Sequence, residues 1–250
     1  MNVFVRISYC TLAFLLLIST EINAQLTTDA DFKRQVYDRD FSGGVLLHTR
    51  GYGLTARYGV LSSGFTKNAL ELDIVNMRHP KENKTYTDLL NNTTGFVFGR
   101  INSFYVIRTG LHRERILYDK TDQGSVSVSF FYSTGISWGM IKPIYLEVER
   151  SDASTNTPEI IRYDPTLPDV FVRGQANFFH GIGETKIRPG LYIKTGFLFD
   201  NHELDERIRN MELGIIIDAY VNRVPIMHDT QNNRLFFQMY FALNFGKKWN

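Results

Sequence analysis

The 250-residue chain is 43% hydrophobic and 22% charged, with a formal net charge of +2. So even a balance gives no electrostatic reason to expect nucleic acid as a partner. The single cysteine, Cys10, falls in the leader described next, so the rest of the chain has no disulfide, thiolate metal site or cysteine nucleophile.

The chain opens with Arg6, an apolar run at 13–18 (AFLLLI) and a small-residue sequence, Ile22-Asn23-Ala24, ahead of Gln25. This pattern predicts a secretory signal peptide over 1–24. Glu21 and Asn23 cut the apolar run too short for an anchor helix. Residues 25–42 are expected to form an N-terminal periplasmic segment, and 43–250 a barrel domain. Past the leader there is no run of 18 apolar residues, so no helix is expected to cross a bilayer. A membrane protein of this sequence has to be a closed barrel, since in lipid only helices and barrels satisfy every backbone hydrogen bond.

Eight strands are predicted. Candidates at 43–50 and 52–60 meet near Gly51. A third, at 69–77, sets Leu70, Leu72 and Ile74 against Glu71 and Asp73. The fourth, at 98–117, is long and ragged. The last four alternate cleanly. In 125–140, Val126, Val128, Phe130, Tyr132, Ile136, Trp138 and Met140 oppose a face rich in Ser and Gly. In 187–199, Leu191, Ile193 and Phe197 oppose Tyr192, Lys194 and Gly196. In 211–221, Leu213, Ile215 and Ile217 oppose Glu212, Gly214 and Asp218. In 235–245, every second residue is apolar. Period-two alternation over such lengths is a strand signal, and these runs exceed the usual five or six residues. The connectors alternate between short and long, as in outer-membrane barrels with periplasmic turns and extracellular loops. Both termini are then expected in the periplasm. The long loop at 149–186 holds FVRGQANFFHGIGE, where a short helix or plug is expected.

Alternation does not say which face looks out. In a lipocalin-like soluble barrel the apolar face lines the interior; in a membrane barrel it faces lipid. Strand length, the Gly- and Ser-rich polar face and a terminal Trp249 at the membrane boundary favour lipid. The expected fold is therefore all-β, an eight-stranded antiparallel up-and-down transmembrane barrel. The segments LLHTRGYGLTARYG, ELDIVNMRHPKENK, SFFYSTGISWGMIKPIYLEV and FALNFGKKW are similar to those of small outer-membrane β-barrel proteins of Bacteroidota. The resemblance covers most of the chain after the leader. It implies the outer membrane of a Gram-negative bacterium and a small antiparallel barrel. It implies no activity.

With the apolar face outside, the lumen receives Arg57, Glu71, Asp73, Arg108, His112, Glu114, Arg188, Lys194, Glu212 and Asp218. Buried charges of mixed sign have to pair, so a charge network plugging a narrow barrel is expected; a narrow channel is the other use of the same residues. At the outer loops, Arg78, His79 and Lys81 offer cations to lipopolysaccharide phosphates. Phe171, Phe178, Phe179 and His180 form a candidate surface for a larger outer-membrane complex. His228 and Asp229, with His180, are the candidates for an enzyme acting on lipid or peptide at the rim, since a His–carboxylate pair orients a general base. No catalytic residue is assigned. No metal-ligand spacing is present among the six histidines, and no cofactor is expected. The expected role is structural or partner-binding, with outer-membrane lipid and lipopolysaccharide as partners. The rim enzyme, the channel and a soluble periplasmic binder of an apolar ligand stay open.

Overall fold

In the computed structural model the described residues are 38–63, 66–82, 84–85, 96–118, 126–150, 159–165, 170–200, 207–228, 230 and 232–249. The expected signal peptide, most of the expected periplasmic segment, and Asp229 lie outside them.

The strands in chain order are β1 (Arg39–His48), β2 (Gly51–Ser63), β3 (Thr66–Met77), β4 (Lys84–Thr85), β5 (Phe96–Val97), β6 (Asn102–Tyr118), β7 (Ser127–Pro143), β8 (Tyr145–Arg150), β9 (Glu159–Arg162), β10 (Val170–Gln175), β11 (Lys186–Asp200), β12 (Arg207–Tyr220) and β13 (Leu235–Trp249). Eight of them close into one barrel in the order β1-β13-β12-β11-β7-β6-β3-β2. Each neighbour is antiparallel and next in the meander. The ring is sealed by β1 against β13, from Arg39 opposite Trp249 to His48 opposite Tyr240. Closure leaves no edge strand in the barrel.

The alternation of the sequence becomes inside and outside. On β13, Leu235, Phe237, Met239, Leu243 and Phe245 are exposed, while Phe236, Gln238, Tyr240, Ala242 and Asn244 are buried. β12 exposes Met211, Leu213 and Ile217 and buries Asn210, Glu212 and Asp218. β7 exposes Phe130, Tyr132, Ile136 and Trp138 and buries Ser129, Ser133 and Ser137. Small inward residues make room for large ones opposite. A Cβ at Gly110 would collide with the Tyr192 hydroxyl, and one at Gly190 would meet the Tyr220 ring.

The strand ends that flank 49–50, 78–101, 144–185 and 221–234 lie together at one end of the barrel, here called the loop end. The interior there is apolar. The rings of Phe104, Tyr220 and Phe236 sit 5.5–5.7 Å apart. Val224, Ile226 and Met227 fold in above them and join the same buried cluster. The Ile226 carbonyl accepts from the Ile101 and Asn102 N–H groups, which ties two loops across the mouth.

Three expectations change. β1 begins at Arg39 instead of residue 43: Arg39 and Asp40 are both charged, so polarity hides an alternation that burial reveals. β6 begins at Asn102 instead of Phe98, because Gly99 takes a left-handed φ of 77° that breaks the extended run. The loop expected to hold a short helix or plug instead builds a three-stranded sheet, β10-β8-β9. The helical element among its described residues is a 3-10 turn at Ile182–Glu184. Ile144, Leu146 and Val148 alternate and bury against Ile161 and Tyr163, so a period-two pattern governs here too.

Candidate functional site

Inward charges of β2, β3, β6, β11 and β12 meet in the lumen, some on neighbouring strands and some across the ring. Arg57 of β2 donates from Nε to Glu71 Oε2 of β3 at 2.9 Å. It also grips Glu212 of β12 with both terminal nitrogens, Nη2 lying 2.8 Å from Oε2. Lys194 of β11 bridges Glu71 at 3.1 Å and Asp73 at 3.2 Å. Arg108 of β6 makes a two-pronged pair with Asp218, both contacts at 2.8 Å. Its Nη1 lies 3.9 Å from Asp73. The chain of contacts is thus continuous from Asp218 through Arg108, Asp73, Lys194, Glu71 and Arg57 to Glu212.

Neutral groups add hydrogen bonds to Glu212, Asp218 and Glu71, whereas Asp73 Oδ1 and Arg108 Nη1 are buried without a hydrogen-bond partner. Tyr240 Oη and Asn244 Nδ2 donate to Glu212 at 3.2 and 2.7 Å. Ser137 Oγ and Gln238 Nε2 donate to Asp218 at 3.0 and 2.9 Å. His112 Nδ1 lies 3.2 Å from Glu71 and 2.9 Å from Ser133 Oγ, and its ring stacks on Phe131. Arg57 lies over the same Phe131 ring, 5.7 Å from its centroid. Arg108, Lys194, Glu212, Asp73 and Asp218 are wholly inaccessible to solvent. Three cations facing four carboxylates in so dry a place are sustained by pairing and hydrogen bonding together.

Glu114 stands apart, toward the short connections, 3.9 Å from Lys67 Nζ. Lys67 also pairs with Asp40, a residue the sequence reading passed over. Arg188 shares the inward parity of Lys194 but sits nearer the loop end and belongs to none of these pairs. The reading also missed Ser133, Ser137, Gln238, Tyr240 and Asn244. Their inward parity was visible; Gln238, Tyr240 and Asn244 reach carboxylates of the preceding strand, β12, whereas Ser137 reaches Asp218 past the intervening β11.

The loop candidates are dispersed. Arg78 lies over the Tyr52 ring at 5.9 Å. His79 Nδ1 accepts from the Lys81 N–H at 3.2 Å, and its own N–H donates to Glu82 at 2.9 Å. Partial burial, then the Arg50 guanidinium, lower the His79 pKa below its ordinary 6.5. Phe178 and Phe179 are exposed, as is His180. Phe171 lies on β10, and its side chain is outside the described residues. The His228 N–H donates to the Gly99 carbonyl at 2.8 Å. Among the described residues no group of three His, Cys, Asp or Glu side chains is placed to hold a metal.

Fold and interior together define a class: a closed, eight-stranded antiparallel barrel, apolar outside and charged within. No family model and no curated protein matches the chain. Among solved structures it is similar to Ail, the attachment invasion locus protein of Yersinia pestis, in complex with the heparin analogue sucrose octasulfate. That likeness has 8% identity and a TM-score of 0.41, over 84% of this chain and 97% of that one. A second Ail structure gives 7%, 0.40, 86% and 100%. Neisserial surface protein A gives 8%, 0.35, 84% and 95%.

Proposed function

We propose that the protein is an integral outer-membrane barrel with a plugged polar lumen, acting through its loop end in a structural or partner-binding role. The observation that carries this reading is the division of each long strand into an apolar outer face and a charged inner one. On β13 the outward apolar residues run from 235 to 245. At about 3.4 Å per residue and a tilt near 45°, that run rises roughly 24 Å, the height of a barrel's apolar band. A surface of this kind in water would be a continuous apolar patch far beyond what soluble monomers expose. The paired charges at the middle of the lumen support a plugged interior over a channel or a binder of an apolar ligand. At the rim, Arg78 and Lys81 offer charge to lipopolysaccharide phosphates, and the sheet β10-β8-β9 offers a surface to a larger complex.

The test is fractionation followed by electrophoresis with and without boiling. The reading expects the protein in the outer-membrane fraction, with a mobility that changes on boiling. Recovery in the soluble periplasm with a single mobility would refute it.

A further inference from the structure

Within 176–185, Phe178 packs against side chains of β6 and β7 on the outward side of the barrel wall. β7 continues past Trp138 to Lys142, and β6 places Tyr105 beside Met140. Tyr105, Met140 and Lys142 share the outward parity of Trp138. The Phe178 ring packs edge-on against Tyr105 at 6.0 Å, and Lys142 Nζ lies 4.7 Å from the centroid of that same ring. Phe179 packs edge-on to Phe178 at 5.8 Å.

The turn is built to hold this pose. The Ala176 N–H donates to the Tyr145 carbonyl at 2.9 Å, and that of His180 to the Asn177 carbonyl at 3.0 Å. Asn177 Oδ1 accepts from the Phe179 N–H at 3.3 Å. Gly181 takes a φ of 79°, and a Cβ there would come within 2.7 Å of the Tyr145 ring. A left-handed residue pressed so close to an aromatic favours glycine for two separate reasons. Yet this well-tied turn leaves Phe178 52%, Phe179 74% and Ile182 45% exposed.

We propose that this turn is a membrane-interface anchor, with Phe178, Phe179 and Ile182 entering the boundary of headgroups and acyl chains in the outer leaflet. The inference rests on the membrane reading above. Continuity argues for lipid as the occupant: the patch extends the apolar face of the same two strands, through Trp138 and Met140, without a polar break until Lys142. Lys142 is four residues beyond Trp138, roughly 13 Å along the strand and about 10 Å in height once tilt is included. Lys142 itself is only 6% exposed, its ammonium held over the Phe178 ring, so at this height it is the aromatic side chains of the turn that face outward, as rings do at a membrane boundary. Three side chains also cover far less area than a stable protein interface needs.

Tryptophan quenching by brominated lipids tests the proposal in reconstituted vesicles. The chain has two tryptophans, Trp138 and Trp249. Trp249→Phe leaves Trp138 as a probe of the belt. Phe179→Trp combined with Trp138→Phe and Trp249→Phe reports the turn alone. Both probes are expected to be quenched, the turn probe more by bromines near the headgroup than by bromines deep in the chain. Quenching of Trp138 with no quenching of the Phe179→Trp variant, and emission like that of tryptophan in water, overturns the anchor while the membrane reading stands. Absence of quenching at both overturns both. Should the triple variant fail to show the folded gel mobility, Ile182→Trp in the same background reads the same outcome.

Discussion

At the residue scale, the lumen is governed by the cost of unpaired charge. Glu212 answers Arg57 from a position 155 residues away in sequence, and both are buried. Glu212→Gln is expected to lower unfolding stability by about 3–5 kcal/mol, because it strands the Arg57 charge. Arg57→Met combined with Glu212→Leu is expected to recover part of the loss, since removing both charges also removes their desolvation. Urea titrations in lipid vesicles measure both; equal losses in single and double variants would contradict the pairing argument. His79 gives a second prediction at this scale. Its folded-state pKa lies below the unfolded value, so the contribution of the 79–82 turn is complete above the ordinary histidine range. It is lost as pH falls from there toward the depressed value. NMR titration is expected to place the His79 midpoint below 6.5, with the hydrogen bond from the Lys81 N–H released on protonation.

At the scale of elements, a strand's two faces answer to different solvents. Leu213 lies on the outer face of β12, opposite Phe241. Leu213→Arg is expected to cost about 2–4 kcal/mol, whereas Val221→Arg, just beyond the same strand, is expected to cost about 0–1 kcal/mol. Equal costs would mean that depth in a bilayer plays no part. The strands themselves were legible because β7, β11, β12 and β13 alternate without interruption, and parity assigns each charge to one face. Two kinds of information were not local. Polar alternation could not start β1 at Arg39, where both faces open with a charge. Nor could it say that Arg57 would meet Glu212, because that depends on which side chains converge across the lumen. The sheet β10-β8-β9 went unread for a different reason: Pro143 marks an end to β7, and YLEVER is short enough to pass for loop until Leu146 and Val148 are seen to bury together.

For the whole molecule, closure, lumen and loops describe one design. The barrel's backbone is satisfied by the ring of strands, its middle by paired charges, and its mouth by the Phe104, Tyr220 and Phe236 rings under Ile226. A barrel filled in this way is expected to pass no ion current in planar bilayers at neutral pH. Steady conductance that changes with Arg108→Gln would reverse the plugged reading and make the same residues a filter. Which face of the strands meets lipid sets the role of every residue in the barrel. The most direct measurement is a nitroxide scan of β13, placing single cysteines at successive residues from 235 to 245 with Cys10 replaced by serine, in lipid vesicles. The account predicts high collision with oxygen and low collision with a water-soluble nickel chelate at 235, 237, 239, 241, 243 and 245, and little collision with either at the residues between. Oxygen access at the even residues, or chelate access along the odd ones, would contradict it.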